Sequence, residues 1–319
     1  MPKIKALVLG CGNIGAMYDL HTPEVVQTHA RAFSWQREIE FSVTDSDQHK
    51  AKLIGKRYNV QALKLNQVDF NDFSIVSLTT PTKTHFFYLK QMLRLNVPVV
   101  VCEKPVAADL AELSELKRIY LRSQTKVLVN YMRRFQPGYA VLKRRVQKIL
   151  KQDTIESITI TYQQGMLNNS THATDLLEYL FNAEFRFHKF IVQSAAVDIF
   201  PDDPTISGTC LFDGVPVNFA GITDTVERVF EIELLFQNFK IIIDESGNTI
   251  GYFRSEKSIP VKEFVRMRQT KLLTNYMQPV ISKAMRLLLN SKEEDNFMLA
   301  LALNQRTVRL IEKIKTTRK

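Results

Sequence analysis

Five short apolar runs separated by amphipathic stretches fill the first 130 residues, and no other feature of the chain restricts its fold as much. The runs are "IKALVLG" (4–10), "IEFSVTD" (39–45), "FSIVSLTT" (73–80), "VPVVVCE" (97–103) and "KVLVNY" (126–131). Each suits a strand of about five or six residues. Between them, "SDQHKAKLIGKRY", "THFFYLKQMLRL" and "LAELSELKRIYLRS" have helical spacing and length. Strand alternating with helix specifies a parallel sheet covered on both faces.

Beyond residue 130 the pattern changes. A basic helical stretch (135–151) leads into "SITITYQQ", a short helical stretch "HATDLLEYLF", and then longer strands: "FRFHKFIVQSAAV", "TISGTCLF", "VPVNFAGI", "FEIELLF" and "FKIIID". Asp213-Gly214 and Ser246-Gly247 are tight-turn pairs of the kind antiparallel hairpins need. A long amphipathic helix, about 294–314, comes last. The expected organisation is therefore α/β in two domains, residues 1–130 and 131–319, with the last helix able to pack back on the first domain.

"VLGCGNIG" sets Gly10, Gly12 and Gly15 in G-x-G-x-x-G spacing directly after the first strand. A dinucleotide needs such glycines for a tight turn, for close backbone approach to a pyrophosphate, and for close packing of the following helix. Asn13 and Ile14 open that helix, and their amides would face the phosphates. Asp45, with Asp47 close behind, ends the second strand, where a carboxylate accepts hydrogen bonds from ribose hydroxyls. The gap from Gly15 exceeds the usual ~20 residues, and "MYDLHTPEVVQTHA" reads as an insertion. A 2'-phosphate beside Asp45 would be repelled, so NAD is favoured over NADP.

Other function classes recede on composition. A 45% hydrophobic chain of 319 residues with mean hydropathy −0.13 is globular rather than disordered. Cys11, Cys102 and Cys210 are odd in number and far apart, which argues against a disulfide framework or a metal cluster and for a reducing, cytoplasmic setting. The apolar stretch Ala6–Leu9 is too short for an export signal, and no run approaches a membrane span. Net charge is +10. The acid-free run Arg133 to Lys151 reads as a helix with Val141, Leu142, Val146, Ile149 and Leu150 facing the core. Most of its charges then form a solvated face. Attraction of an anionic small molecule is the next reading, and nucleic acid the least favoured.

The strand ends complete the pattern. "SLTTPTKTH" brings Thr79, Thr80, Pro81 and His85 to the carboxyl edge of the sheet, where ligands bind in open α/β folds. "CEKP" brings Glu103, Lys104 and Pro105 to the same edge. With the glycine loop, "VNYMRRFQP" (129–137) and "THATDLLEYLF" (171–181), these motifs resemble the Gfo/Idh/MocA family of oxidoreductases, named for glucose-fructose oxidoreductase and inositol dehydrogenase. The resemblance implies a Rossmann domain, a second α/β domain with an open, mostly antiparallel sheet, and an active site in the crevice between them. It casts Lys104 as the catalytic lysine at the substrate hydroxyl or carbonyl, Glu103 beside the nicotinamide ribose, and His172 and Asp175 as the second half of the catalytic set. Thr79, Thr80, Pro81 and His85 would line the cofactor. Asn168 and Arg134, with Arg133 second, would contact substrate. His29 aligns loosely with a family histidine and reads as structural. Many relatives carry an aspartate where Asn168 stands, so His172 loses an anionic partner that would raise its pKa.

The reading that results is an NAD(P)-dependent oxidoreductase that moves hydride between nicotinamide and a sugar, polyol or nucleotide-activated sugar. Two rivals use the same residues: a non-redox epimerase, dehydratase or glycosidase on tightly held NAD, and a dinucleotide-binding sensor without catalysis. The expected partner is a sugar-like small molecule, an anionic one suiting the charge, with no nucleic acid, membrane or metal. Alternating Phe230, Ile232, Leu234 and Phe236 would expose a large apolar patch unless another subunit covered it, which predicts a homodimer or homotetramer.

Overall fold

The computed structural model describes residues 3–223, 229–257, 262–271 and 275–317. The chain divides into two compact units, one of residues 1–135 and 274–304, the other of residues 136–273 and 305–319.

The first unit is built on a six-stranded sheet in the order β3-β2-β1-β4-β5-β6, every neighbouring pair parallel. Its strands are β1 (Ile4–Leu9), β2 (Ile39–Asp45), β3 (Ala62–Lys64), β4 (Ile75–Leu78), β5 (Val99–Cys102) and β6 (Lys126–Val129). β4 and β5 are buried at every position, as strands covered on both faces require. Helices α1 (His29–Ser34), α2 (Gln48–Tyr58), α3 (Thr82–Leu95) and α4 (Leu110–Tyr120) connect them. β2 ends at Asp45, as expected, and Asp47 caps α2, accepting from the His49 and Lys50 amides. β3, only three residues long, escapes the periodicity argument.

Two later segments complete this unit. A helix over Met277–Leu289, numbered α7 in chain order, buries Met277, Val280, Ile281, Ala284 and Leu287 in one core with Phe33, Val99, Val101 and Leu128. Pro279 hides it from a sequence reading, yet a proline in a first turn breaks no intrahelical bond. The free edge of β6 is closed by side chains: Asp295 Oδ2 accepts from the Val127 amide (2.8 Å), while Asn296 accepts from the Val129 amide (2.8 Å) and donates to its carbonyl (2.9 Å). An edge strand left open would template pairing with another chain. The helix that follows, α8 (Phe297–Thr317), counts with this unit up to Asn304.

The second unit holds an eight-stranded sheet in the order β14-β13-β12-β11-β7-β10-β9-β8, antiparallel except for the β7/β10 pair. In chain order these are β7 (Ile155–Tyr162), β8 (His188–Ala196), β9 (Thr205–Phe212), β10 (Val215–Gly221), β11 (Phe230–Phe236), β12 (Phe239–Asp244), β13 (Thr249–Lys257) and β14 (Lys262–Lys271). Asp213 and Gly214 (φ 50° and 83°) turn β9 into β10, as the sequence predicts. Helices α5 (Pro137–Ile149) and α6 (Thr171–Phe181) lie on one face, where the Phe181 ring meets Phe212 edge-on at 5.6 Å. Leu142, Val146 and Ile149 of α5 are buried, but Val141 is 44% exposed, against expectation.

One further expectation fails here. Phe230, Ile232, Leu234 and Phe236 are all buried within the single chain, at 0 to 3% exposure. They belong to the helix-covered face, so they give no reason for a second subunit. The other face of this sheet carries Thr159, Thr161, Glu231 and Glu233 with half-buried Leu211, Leu235 and Ile242.

Candidate active site

The glycine loop sits between β1 and β4. Gly10 has φ +106°, and a Cβ there would lie 2.8 Å from the Thr79 backbone, so only glycine serves. At Gly15 a Cβ would overlap the Gly10 carbonyl oxygen. At Gly12 nothing stands within 4 Å of an added Cβ. That open space is the approach a pyrophosphate needs, with the other two glycines providing the turn and the close packing. The helix expected after the loop is a single π-turn, Asn13–Met17, and the chain then runs irregularly to α1. Asn13 and Ile14 therefore open one turn only.

Side chains from neighbouring strands fix this loop. Thr79 donates its hydroxyl to the Gly10 carbonyl (2.6 Å). Asp45 accepts from the Cys11 amide at 2.6 Å and the Asp47 amide at 2.8 Å, so its charge is held at the loop's own backbone. Burial pushes the Cys11 thiol up to about 12, with Asp45 adding to the shift, so it is an apolar packing group rather than a nucleophile. Arg57 is committed to the Leu20 carbonyl (3.1 Å).

At the end of β5 the carboxylate of Glu103 is buried in a network. Its Oε1 accepts from Asn130 Nδ2 at 2.6 Å and pairs with His29 Nε2 at 2.9 Å, while His29 Nδ1 meets Ser77 Oγ at 2.9 Å. Burial alone would raise the Glu103 pKa, but the hydrogen bonds from His29 and Asn130 and the charges of His29 and Lys104 outweigh it and hold it below the ordinary range. Asp19 anchors the start of α1, accepting from the Gln27 and Thr28 amides and the Thr28 hydroxyl at 2.7 to 2.8 Å, and so sets His29. Glu103 is thus tied to the start of α1 and to the residue that follows β6, and its neighbour Lys104 is half-buried and joined to Pro105 by a cis peptide bond.

His85 lies at the start of α3, where it joins two loops of the sheet's carboxyl edge. It is 1% exposed, with Nδ1 at 2.9 Å from the Pro105 carbonyl and Nε2 at 2.8 Å from the Thr80 carbonyl. The ring pins the loop of Thr80 and Pro81 to the loop of Lys104 and Pro105, and burial lowers its pKa. Val106 is held in turn by Asn304 (2.8 Å). Arg133 and Arg134 lie on a short turn, Met132–Phe135, the first buried and the second half-buried.

In the second unit His172 and Asp175 are both buried on α6, three residues apart, and the His172 ring stands edge-on to Phe230 at 6.3 Å. The preceding turn, Met166–Ser170, is built over Asp203, which sequence reasoning missed. This buried carboxylate accepts from the Leu167 amide (2.7 Å), the Asn168 amide (2.7 Å) and the Asn168 side chain (2.9 Å). Gly165, at φ +91°, leaves room for it, since a Cβ there would run into the carboxylate. Among the described residues no group of three His, Cys, Asp or Glu side chains could hold a metal ion, and no helix is long and apolar enough to cross a membrane.

Strand order 3-2-1-4-5-6, a glycine cradle open at its middle position and an acid closing the second strand together define a dinucleotide-binding Rossmann domain. The comparison with known families agrees. Residues 4–131 match the Gfo/Idh/MocA model, described as an oxidoreductase family with an NAD-binding Rossmann fold. A myo-inositol dehydrogenase, Hyg17 of Streptomyces leeuwenhoekii, is 26% identical over 140 residues, which cover 43% of this chain and 39% of that protein. The chain therefore spans about two fifths of this curated relative. Over nearly the full length, the structure is similar to the UDP-N-acetylglucosamine 3-dehydrogenase GnnA of Acidithiobacillus ferrooxidans (TM-score 0.71, 15% identity, 98% of this chain and 96% of that one). It is also similar to the 3-ketoreductase KijD10 of Actinomadura kijaniata in complex with NADP and TDP-benzene (TM-score 0.70, 14% identity, 98% and 97% covered). At these identities the likeness is one of fold.

Proposed function

We propose that the protein is an NAD(P)-dependent dehydrogenase acting on a CH–OH group of a sugar, polyol or nucleotide-activated sugar. The observation that carries this reading is the Glu103–Lys104 pair at the edge of the same sheet as the glycine cradle, with Glu103 locked by His29 and Asn130. A strand end merely meeting water would not need a buried, three-residue network behind it. When bound, the nicotinamide supplies the hydride acceptor or donor. The chain's own part is proton handling: Lys104 takes or returns the hydroxyl proton, with His172 as its partner in that task. Positioned proton transfer contributes about 10²- to 10⁴-fold. Asp203 supplies, beside Asn168, the negative charge that an aspartate at 168 would have carried.

Asp45 supports NAD over NADP, because its charge stands at the end of β2 and no arginine is offered to a 2'-phosphate there. Three free, buried cysteines suit the cytoplasm. A homodimer or homotetramer through the face bearing Leu211, Leu235 and Ile242 is the assembly we favour, and light scattering tests it. The activity test is NADH formation from a panel of polyols, sugars and nucleotide sugars. Stoichiometric NADH supports the dehydrogenase, product without NADH indicates transient oxidation, and cofactor binding without turnover on any member points to a sensor.

A further inference from the structure

The chain's surplus of positive charge is not used by the glycine loop, and α5 carries much of it. In the second unit a cavity of about 440 Å³ opens between the end of α5 and strands β12 and β13. Its floor is apolar, with Ile149, Ile241 and Tyr252 buried. Arg145 and Lys148 reach it from the helix, Arg254 from β13 and Lys240 from β12, the last lying 3.7 Å from Glu233. Phe239 and Arg254 are directly paired across the strands, as are Ile241 and Tyr252. All four therefore share the face toward α5, and Lys240 and Phe253, between them in sequence, also line the cavity.

Three of the four cations lie near aromatic rings, Lys240 at 5.3 Å from the Phe253 ring centre. The Arg145 guanidinium lies 4.1 Å from the Tyr252 ring centre and that of Arg254 lies 6.0 Å from Phe239. Contact with a ring face restrains a guanidinium while leaving N–H groups available to a phosphate. Neither arginine nor Lys148 forms an ion pair among the described residues, and none of the ten lining residues is acidic. Arg145 and Lys148, one helical turn apart, repel each other. The helix C-terminus offsets part of that cost, and an anion would remove the rest. Gln152 adds an amide donor at the rim.

We propose that this cavity is a second binding site, for a small molecule bearing a di- or triphosphate, held by Arg145, Lys148 and Arg254. The test is calorimetric titration of the NAD-saturated protein with inorganic tripolyphosphate and, separately, ADP, at low salt, with sulfate at matched ionic strength as the control. Saturable binding of one equivalent of either phosphate, weakened at least tenfold in Arg145→Gln/Arg254→Gln with melting temperature and NAD affinity unchanged, is the expected result. ADP binding more tightly than tripolyphosphate would assign a nucleotide, and the reverse a bare polyphosphate. The proposal fails if neither probe saturates, if the double variant binds equally well, or if sulfate competes as strongly as tripolyphosphate. Should the double variant not fold, Lys148→Glu, at an exposed position, must lower the affinity by the same order.

Discussion

Placing aspartate at position 168 sets a second carboxylate against Asp203. The Asn168 side-chain nitrogen lies 2.9 Å from Asp203 Oδ2, so in Asn168→Asp an oxygen replaces that donor at about the same distance. Two unit charges there repel by roughly 6 kcal/mol at an effective dielectric near 20. Taking up one shared proton caps the cost, because lifting a carboxyl from its ordinary range to neutrality costs about 4 kcal/mol at pH 7. We expect a loss of about 2–4 kcal/mol at pH 7. The loss is smaller at pH 5, since the folded pair binds a proton that the unfolded chain releases above its ordinary carboxyl pKa. Asp203→Asn turns an amide NH₂ toward one of the two backbone N–H donors, a cost of about 1–3 kcal/mol. The double variant carries a single carboxylate again, so its loss should fall short of the sum by at least about 2 kcal/mol. Urea unfolding of the four proteins at pH 5 and 7 measures all of this. Strictly additive losses, or an Asn168→Asp protein as stable at pH 7 as the parent, would show that Asp203 does not lie under this turn.

Other outcomes follow from the proposed proton-handling and cofactor residues. Lys104→Met should cut turnover at least ~10²-fold with NAD affinity and melting temperature little changed; near-normal turnover would return "EKP" to an ordinary strand end. His172→Ala should lower turnover with an altered pH profile, and the Lys104→Met/His172→Ala protein should be little worse than the poorer single if both serve one step. Fluorescence titration should show NADH bound more tightly than NADPH, with Asp45→Ala narrowing the gap; equal affinities in the parent would remove Asp45 from cofactor choice. Glu103, its pKa depressed in the folded state, contributes stability that is present above its unfolded value near ~4.3 and lost as pH falls through its folded one. The melting-temperature gap between parent and Glu103→Gln should therefore close below about pH 4, and a gap independent of pH would contradict the network.

Local patterns were legible and long-range partners were not. β1, β2, β4, β5 and β6 stand out in the sequence because strands of a covered sheet are short runs rich in apolar residues, and G-x-G-x-x-G fixes a loop within six residues. Asp203 gives no such signal: it lies 35 residues from Asn168 in a stretch, "PDDPT", whose composition says only turn. His85 is bonded to two carbonyls from different loops, partners that no spacing rule predicts. β14, "KEFVRMRQTK", has too many charges to read as a strand. The apolar alternation of β11 is plain, yet which face the helices cover depends on α5 and α6, and assigning the wrong face produced the mistaken patch.

Because Asp295 and Asn296 close the β6 edge and α7 fills the core behind β5, the first unit is written at two places almost 140 residues apart. During synthesis the dinucleotide fold emerges early with one edge bare and one face uncovered, and it is finished only when nearly the whole chain has left the ribosome. A fragment ending at residue 135 would carry every cofactor-binding residue named above and still be prone to pair edge to edge.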